Sequence, residues 1–353
     1  MRRRRRLACA VLTLLGASLL AGLGVAAPAA AAAPGPAPLI KACLADAASD
    51  NAYTQAGWYR TRTQWCRNWV IRAGEETGAE GGSMQALVSI GVTTSTDDLD
   101  VHVDLYIREI SSSGSLKNAM LKVDLPCTGC TPTRTSGRSA VLSGWIADGN
   151  ATFDFAAGLG TGADKIASHA FHPRFLLGGG LLVKESTGTS FRCDSASYIN
   201  SGGTPGCVFP QTHPTLLYDA SRQPNAKVTI AHVRQALTAP NSTQPWWLGD
   251  DTGKKTIPSV LHRQTDKSKN RKNNRAAAAV CRSIDPSYVS KGNDCDEYPF
   301  ESSQEGAARG DNRFSALPVP LGDNRSAGST LGKFYTDLRV LDGEEFHVAV
   351  PRL

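Results

Sequence analysis

Apart from its N-terminus, the sequence lacks an apolar stretch long enough to span a membrane. At the N-terminus, five arginines (Arg2 to Arg6) precede an apolar run that ends near Ala27, and an alanine-rich stretch continues to Ala33. A basic segment, an apolar segment and small residues, in that order, are typical of a secretory signal peptide. We therefore expect residues 1–33 to be a signal peptide and the mature protein to be secreted, extracellular and free of membrane segments.

The mature chain also lacks a strong net charge. The formal net charge of the full sequence is +6, but five of these charges are the N-terminal arginines, which leaves about +1. The overall charge therefore gives no argument for a nucleic-acid partner, and only a local basic patch could supply one.

The mature chain has no unpaired cysteine by count. Of nine cysteines, Cys9 falls in the predicted signal peptide, and the other eight form close pairs in the sequence. An even number of cysteines in an exported chain predicts four local disulfides. The predicted pairs are Cys43 with Cys66, Cys127 with Cys130, Cys193 with Cys207, and Cys281 with Cys295. The Cys127 pair has the spacing of redox and zinc sites, but no thioredoxin-like pattern and no second ligand pair accompanies it.

Composition divides the mature chain into two predicted domains. Residues 34–39 are an Ala/Pro/Gly linker, residues 40–249 form a β-rich accessory domain of unknown role, and residues 250–353 form a more charged domain. In the first domain, apolar residues alternate with polar ones from Leu99 to Ile107, which predicts a strand with one buried face. Further strands are predicted at residues 86–92, 120–125, 140–145, 152–155 and 227–233. The fold class expected is α+β, with a mostly-β, sandwich-like domain followed by a small α+β domain.

An acidic cluster in the second domain suits a cation site. Asp296 and Glu297 stand together before Pro299, Glu305 follows eight residues later, and Asn324 begins a Gly-punctuated segment about twenty-seven residues on. Carboxylate and amide oxygens are the ligands of hard divalent cations such as Mg²⁺. Adjacent side chains in an extended chain point to opposite faces, so the acid pair could divide the roles of base and cation ligand in phosphodiester hydrolysis. The alternative is that these acids form salt bridges with a basic helix.

A basic segment precedes the acids. Residues 254–275 contain eight Lys or Arg against one acid, Asp266, and the latter part predicts a helix with a basic face. Such a face either follows the phosphates of a polyanion or is simply a solvated surface, and the residues alone leave both open. The basic side chains concerned are Lys267, Lys269, Arg271, Lys272 and Arg275.

An ordered set of motifs resembles the NucA/NucB family of secreted bacterial deoxyribonucleases. The resemblance covers residues 255–350. Its motifs are Ser259-Val260-Leu261-His262-Arg263, Thr265-Asp266, Asn274-Arg275-Ala276, Cys295-Asp296-Glu297-Tyr298-Pro299-Phe300, Glu305-Gly306, Asp323-Asn324-Arg325-Ser326-Ala327-Gly328-Ser329, Leu331-Gly332, Phe334-Tyr335 and Val340-Leu341-Asp342-Gly343.

The resemblance implies a ββα-metal type nuclease core with one divalent cation, Mg²⁺ or Mn²⁺. It implies that Asp296 is the general base and that Glu297 is a second catalytic-site acid, which either binds the metal or supports the site. It also implies that Asn324 is the helix-borne metal ligand, in preference to Asn312, which lies in a similar tetrapeptide but lacks the Ser-Ala-Gly-Ser that follows Asn324.

The resemblance assigns four more positions. Glu305 would orient metal-bound water or the active-site loop, and Arg325 would contact a phosphate. His262 matches a family position and is a catalytic candidate, with a buried hydrogen-bonding role as the alternative. Cys295 stands where short members carry an arginine, and its predicted disulfide would brace the site.

The function expected is that of a secreted, metal-dependent, sequence-nonspecific endonuclease that hydrolyses DNA, with RNA left open as a second substrate. One alternative is a secreted binding or adhesion protein that retains a nuclease-like tail. Another is an antibacterial nuclease toxin, for which an immunity or inhibitor protein would be a partner.

Overall fold

Short strands dominate the described part of the chain, with a few helices between them. The computed structural model describes residues 35–45, 49–74, 81–135, 137–178, 181–185, 188–199, 202–247 and 253–352. The predicted signal peptide lies outside these residues. Within them, no helix combines the length and the apolar character needed to cross a membrane.

The described residues form nineteen strands and six α-helices, numbered in chain order. The strands are β1 (Trp58–Thr61), β2 (Gln64–Gly74), β3 (Ser83–Thr94), β4 (Asp100–Ser113), β5 (Met120–Asp124), β6 (Cys127–Thr128), β7 (Cys130–Pro132), β8 (Gly137–Val141), β9 (Asn150–Ala157), β10 (Ala167–Phe171), β11 (Arg174–Leu177), β12 (Leu181–Glu185), β13 (Ser190–Asp194), β14 (Gly206–Val208), β15 (Thr215–Asp219), β16 (Val260–His262), β17 (Asn293–Tyr298), β18 (Ser315–Pro320) and β19 (Glu345–Arg352). The helices are α1 (Pro38–Ala45), α2 (Ser49–Ala52), α3 (Leu142–Ala147), α4 (Lys227–Thr238), α5 (Lys267–Ile284) and α6 (Leu321–Asp337).

The first fourteen strands form three antiparallel sheets that contribute to one large hydrophobic core. The strand orders are β1-β2-β3-β4-β9-β7, β14-β13-β10-β6 and β12-β11-β5-β8. The alternation predicted around Leu99 to Ile107 is confirmed in β4, where Val101, Val103 and Leu105 are buried between more exposed neighbours. Period-two alternation buries one face of a strand, and that face supplies the core.

All four predicted disulfides are present. They join Cys43 to Cys66, Cys127 to Cys130, Cys193 to Cys207 and Cys281 to Cys295. The first three lie among the N-terminal strands and helices, and the fourth ties α5 to β17.

The C-terminal part combines two small sheets with three helices. Strand β19 lies between β15 and β16, parallel to the first and antiparallel to the second, and β17 pairs with β18 as a separate antiparallel sheet. A second hydrophobic core joins residues of β15, α4, β17, α6 and β19. A third, smaller core lies between α5 and the β17–β18 sheet. The two-stranded sheet is thus packed between α5 on one face and α4 with α6 on the other.

Two of the predicted strands are wrong. Residues 227–233 belong to helix α4, whose buried residues include Ile230, Val233 and Ala236, spaced by three as on one helical face. The first turn of α4 is capped by a residue that is distant in the sequence. The carboxylate of Asp323 accepts hydrogen bonds from the backbone amides of Val228 and Thr229 at 3.0 and 2.7 Å. Residues 140–145 begin as a strand but enter the short helix α3 at Leu142.

Residues 34–353 group into one compact unit by their contacts. The predicted division after residue 249 stays a prediction. Strand β15 and helix α4 precede that point, yet Leu216 of β15 and Ile230 of α4 share a core with Leu331 of α6 and Phe346 of β19.

Candidate active site

Strand β17 carries the acid pair into the middle of the C-terminal part. Its residues alternate between two faces, as the register with β18 requires. On one face, Asp296 contacts α4 and Asp294 contacts α6. On the other face, Cys295 is bonded to Cys281 of α5, and Glu297 follows two residues later. The alternation therefore places the two adjacent acids on opposite faces of the strand, and Asp296 is the one that contacts a residue of α4.

The predicted residues Asp296, Glu297, Asn324 and Arg325 line one half-open cleft of about 450 Å³. Two more acids of the same motif region, Asp294 and Glu301, lie in it as well. The remaining lining residues come from β15, α4, α5, β17 and its following loop, and α6: Tyr218, Thr229, Asn274, Cys295, Phe300, Ser302, Ala327, Gly328, Leu331, Gly332 and Tyr335.

Glu297 is the most strongly perturbed acid in the cleft. Burial raises the pKa of its carboxyl well above the ordinary value, and the neighbouring acids Asp296, Glu301 and Asp294 raise it further. Among the described residues, no Lys or Arg forms a salt bridge with Glu297, Asp296 or Asp294. The alternative in which these acids pair with the basic helix is therefore not observed in the part of the chain that is described.

The oxygen atoms around Glu297 fit a hard divalent cation. Asn324 Nδ2 donates a hydrogen bond to Asp294 Oδ2 at 3.3 Å. The Oδ1 of Asn324 accepts no hydrogen bond from a described residue. In the described ranges, no group of three or more His, Cys, Asp or Glu is arranged so that it could hold a metal ion. Mg²⁺ usually needs no such group, because it binds through one or two carboxylates and keeps several waters. The cleft therefore offers carboxylates that form no salt bridge with a described Lys or Arg, together with the Oδ1 of Asn324, and these are the oxygen donors that Mg²⁺ prefers.

One residue of the site was missed by the sequence analysis. His232 of α4 places Nδ1 2.5 Å from Asp296 Oδ2 and Nε2 2.6 Å from Ser315 Oγ. All three side chains are buried, at 3 % exposure for His232, 5 % for Asp296 and 1 % for Ser315. A histidine in a segment taken for a strand, 64 residues before its partner, carries no motif by which it could have been found.

Two predicted catalytic residues lie elsewhere. Glu305 accepts hydrogen bonds from the backbone amide and Nδ1 of His262, at 2.8 and 2.9 Å. Glu305 lines a separate cleft of about 270 Å³ with Arg309 and Arg313, and neither Glu305 nor His262 is among the residues that line the larger cleft. The structure thus pairs these two residues with each other but does not bring them to the acid pair on β17.

The predicted basic helix is confirmed as α5. Asp266 caps its N-terminus by accepting hydrogen bonds from the amides of Ser268 and Lys269, which satisfies donors that a helix leaves free. Asn273, Ala277 and Cys281, four residues apart, form its buried face. The five predicted basic side chains are exposed, and in the described part of the chain none of them pairs with a carboxylate: Lys267, Lys269, Arg271, Lys272 and Arg275.

The basic side chains of α5 fall on two sides of the helix. Asn274 lines the acidic cleft, and Lys267 and Arg271 lie seven and three residues before it, on the same helical side. Lys269 and Lys272 instead line a different, smaller cleft. Only part of the basic helix therefore borders the acid pair.

Comparison with known proteins identifies the C-terminal region. Residues 249–349 match the family model described as Deoxyribonuclease NucA/NucB. The resemblance predicted from the motifs is therefore confirmed for this region, and the match leaves out the β-rich part of the chain. No curated protein and no solved structure gives a significant match.

Proposed function

We propose that the protein is a secreted, divalent-cation-dependent endonuclease that hydrolyses DNA phosphodiester bonds without sequence specificity. The observation that carries this proposal is one cleft lined by Asp296, Glu297, Asn324 and Arg325, beside the side of α5 that carries the exposed Lys267 and Arg271. The family match at residues 249–349 supports the same reaction class.

The order of the surrounding elements supports a core of the ββα-metal type. The antiparallel strands β17 and β18 are followed directly by α6, which carries Asn324 on its first turn. Strand, strand and helix thus contribute the acid pair, the supporting Ser315 and the amide ligand in chain order.

We assign the roles of these side chains from which of their oxygen atoms accept no hydrogen bond from a described residue. Asp296 Oδ2 is engaged by His232, while its Oδ1 accepts no hydrogen bond from a described residue and is the atom that would take a proton from water. Glu297 and the Oδ1 of Asn324 would hold the cation, which supplies charge neutralisation at the phosphate and the leaving oxygen. Arg325, exposed at the rim of the cleft, would contact a phosphate.

The remaining expectations have partial support. Four disulfides agree with export to an oxidising compartment. Backbone contact through unpaired lysines and arginines carries no base information, which favours a nonspecific nuclease. An immunity or inhibitor partner and the role of the β-rich part stay predictions.

Plasmid cleavage by the purified full chain tests the proposal, with Mg²⁺, with Mn²⁺ and with EDTA. We expect cation-dependent cutting that falls by a factor of about 10² to 10⁴ in Asp296→Asn, because the general base is lost. Asp311→Asn is the matched control, since Asp311 lies outside the cleft and pairs with Arg309. An intact plasmid under every condition would reject the nuclease function and favour the binding-protein alternative.

The two similar tetrapeptides give a test of the cation ligand. Asn324→Ala should lower cleavage about a hundredfold or more at limiting Mn²⁺ and recover partly at high Mn²⁺, because one ligand is lost. Asn312→Gly removes the same side chain outside the cleft, and glycine suits the backbone there because φ is +53°. Cleavage assays across a Mn²⁺ titration distinguish the two, and equal effects would remove Asn324 from the proposed site.

A further inference from the structure

We propose that His232 is a positioning residue for the general base, acting with Ser315 to hold Asp296 in a reactive orientation. This inference rests on the proposed function of the cleft. It extends the active centre to helix α4, which lies before the region that matches the nuclease family.

The geometry excludes a direct role for His232 at the substrate. Both ring nitrogens are occupied within the protein, Nδ1 by Asp296 Oδ2 and Nε2 by Ser315 Oγ. The ring is buried and is not among the residues that line the cleft. His232 therefore has no nitrogen available for water or phosphate and acts through Asp296.

The hydrogen bond from His232 selects one oxygen of the base. With Oδ2 fixed by Nδ1–H, the carboxylate cannot rotate freely, and Oδ1 is the oxygen left for a water in the cleft. Ser315 holds the other ring nitrogen, Nε2. It can do so because it lies on β18 two residues before Leu317, which is opposite Asp296 in the β17–β18 register. When a catalytic group is already held in its reactive orientation, no conformational entropy has to be lost to orient it at each turnover.

Helix α4 is itself fixed next to the proposed cation ligand. The carboxylate of Asp323 binds the first amides of α4, and the next residue on α6 is Asn324. One turn of α6 therefore carries Asn324 and also caps the helix that carries His232.

The test uses three substitutions of His232 in the full chain. In His232→Asn, the side-chain amide reaches the position of Nδ1 and can still donate to Asp296. In His232→Gln, the longer amide reaches the position of Nε2 and keeps Ser315 but leaves Asp296 unbound. His232→Ala removes both contacts, and circular dichroism with thermal melting measures the folded fraction of each variant.

Initial rates on a short DNA duplex give kcat and KM for each variant. We expect His232→Asn to keep kcat within about tenfold of the wild type. We expect His232→Gln and His232→Ala to lose about 10² in kcat with KM nearly unchanged, since substrate contacts are intact. Equal rates for the Asn and Gln variants, or a rise in KM with kcat unchanged, would overturn the proposal.

A second measurement separates this inference from the nuclease function. In the full chain with ¹⁵N-labelled histidine, the Nδ1 resonance of His232, identified by its loss in His232→Asn, should move in Asp296→Asn and in Ser315→Ala. An unchanged resonance would overturn the pairing whether or not DNA is cleaved. If the resonance moves but wild type and Asp296→Asn cleave equally, the base assignment fails and the positioning role falls with it.

Discussion

At the scale of single residues, the buried carboxyl of Glu297 links stability to cation binding. Burial raises its pKa well above 4.5, the nearby acids Asp296, Glu301 and Asp294 raise it further, and no Lys or Arg in the described part of the chain forms a salt bridge with it. The folded protein therefore holds a proton at Glu297 that the unfolded chain releases above pH 4.5. By linkage, the contribution of this residue to stability is present at low pH and is lost as pH rises through its raised pKa.

We therefore expect Glu297→Gln to stabilise the cation-free protein at pH 8 by about 1 kcal/mol or more, or a few degrees in Tm. In EDTA, the wild type should lose Tm between pH 5 and pH 8, and the variant should lose less. Mn²⁺ should raise the Tm of the wild type but not of the variant, because the cation ligand is gone. Scanning calorimetry measures both effects.

Glu109→Gln serves as the control, because the side chain of Glu109 is 69 % exposed, forms only a long surface pair with Arg108 at 3.7 Å among the described residues, and lies outside the cleft. We expect its Tm to follow the wild type with and without Mn²⁺. If Glu297→Gln instead destabilises the cation-free protein, then the crowding of carboxylates around Glu297 does not lower the free energy of unfolding.

At the scale of elements, α5 presents two basic sides that differ in their distance from the acid pair. Lys267 and Arg271 share a side with the cleft residue Asn274, whereas Lys269 and Lys272 line another cleft. A DNA strand that reaches Asp296 would pass the first side. Removing one cation that neutralises a phosphate lowers the salt dependence of binding by about one counterion.

In an Asp296→Asn background that prevents cleavage, Lys267→Gln/Arg271→Gln should weaken DNA binding and lower the slope of log K against log salt by about 2. Lys269→Gln/Lys272→Gln removes the same charge from the other side and should change the slope by less than about 1. Fluorescence anisotropy over a range of NaCl measures both. Equal slopes would mean that the helix attracts DNA only through its total charge.

The element scale also shows how far the sequence could predict this protein. Strand β4 was predicted because period-two alternation is local, and α5 because its basic run ends in alanines. Helix α4 was not, because Val228, Thr229, Ile230 and Val233 favour a strand locally, and the cap that supports the helix comes from Asp323, 94 or 95 residues away.

For the candidate site, too, the sequence could predict only what local motifs specify. That Asp296, Glu297 and Asn324 lie in one cleft could be predicted because they stand in compact motifs, while their roles stay predictions. His232 could not, since its only distinguishing feature is a partner on β17. Glu305 and His262 also stand in matching motifs, but the motifs do not say which residues share a cleft.

At the scale of the whole molecule, a buried ionic network joins the N-terminal sheets to the C-terminal part. Arg339, which follows α6, donates to Asp194 of β13 at 2.5 Å, and both side chains are almost fully buried. Arg62 and Arg192 both contact Glu344, which precedes β19. Burial alone would raise the pKa of Glu344, but these two arginines hold it below its usual value.

Arg339→Met should lower the free energy of unfolding by about 3 to 5 kcal/mol, because the buried Asp194 carboxylate loses its shorter ion pair and keeps only the 3.3 Å contact with Arg192. Adding Asp194→Asn should restore part of this loss, since it removes a buried charge that Arg192 alone compensates only in part. Urea unfolding measures both. Lys333→Met is the control: Lys333 forms an exposed pair with Asp337, and its loss should change stability by about 0.5 kcal/mol or less. Similar losses in Arg339→Met and Lys333→Met would contradict a structural role for the network.

The parallel pairing of β15 with β19 limits how the nuclease part can be excised. A fragment that starts at residue 249 would lack β15 and would leave one edge of β19 open, with unpaired amides and carbonyls beside Phe346 and Val348. Open edges of apolar strands recruit other strands, so such a fragment would tend to self-associate. A fragment that begins before Thr215 keeps this edge covered, but it still lacks Asp194, Arg62 and Arg192, the buried partners of Arg339 and Glu344.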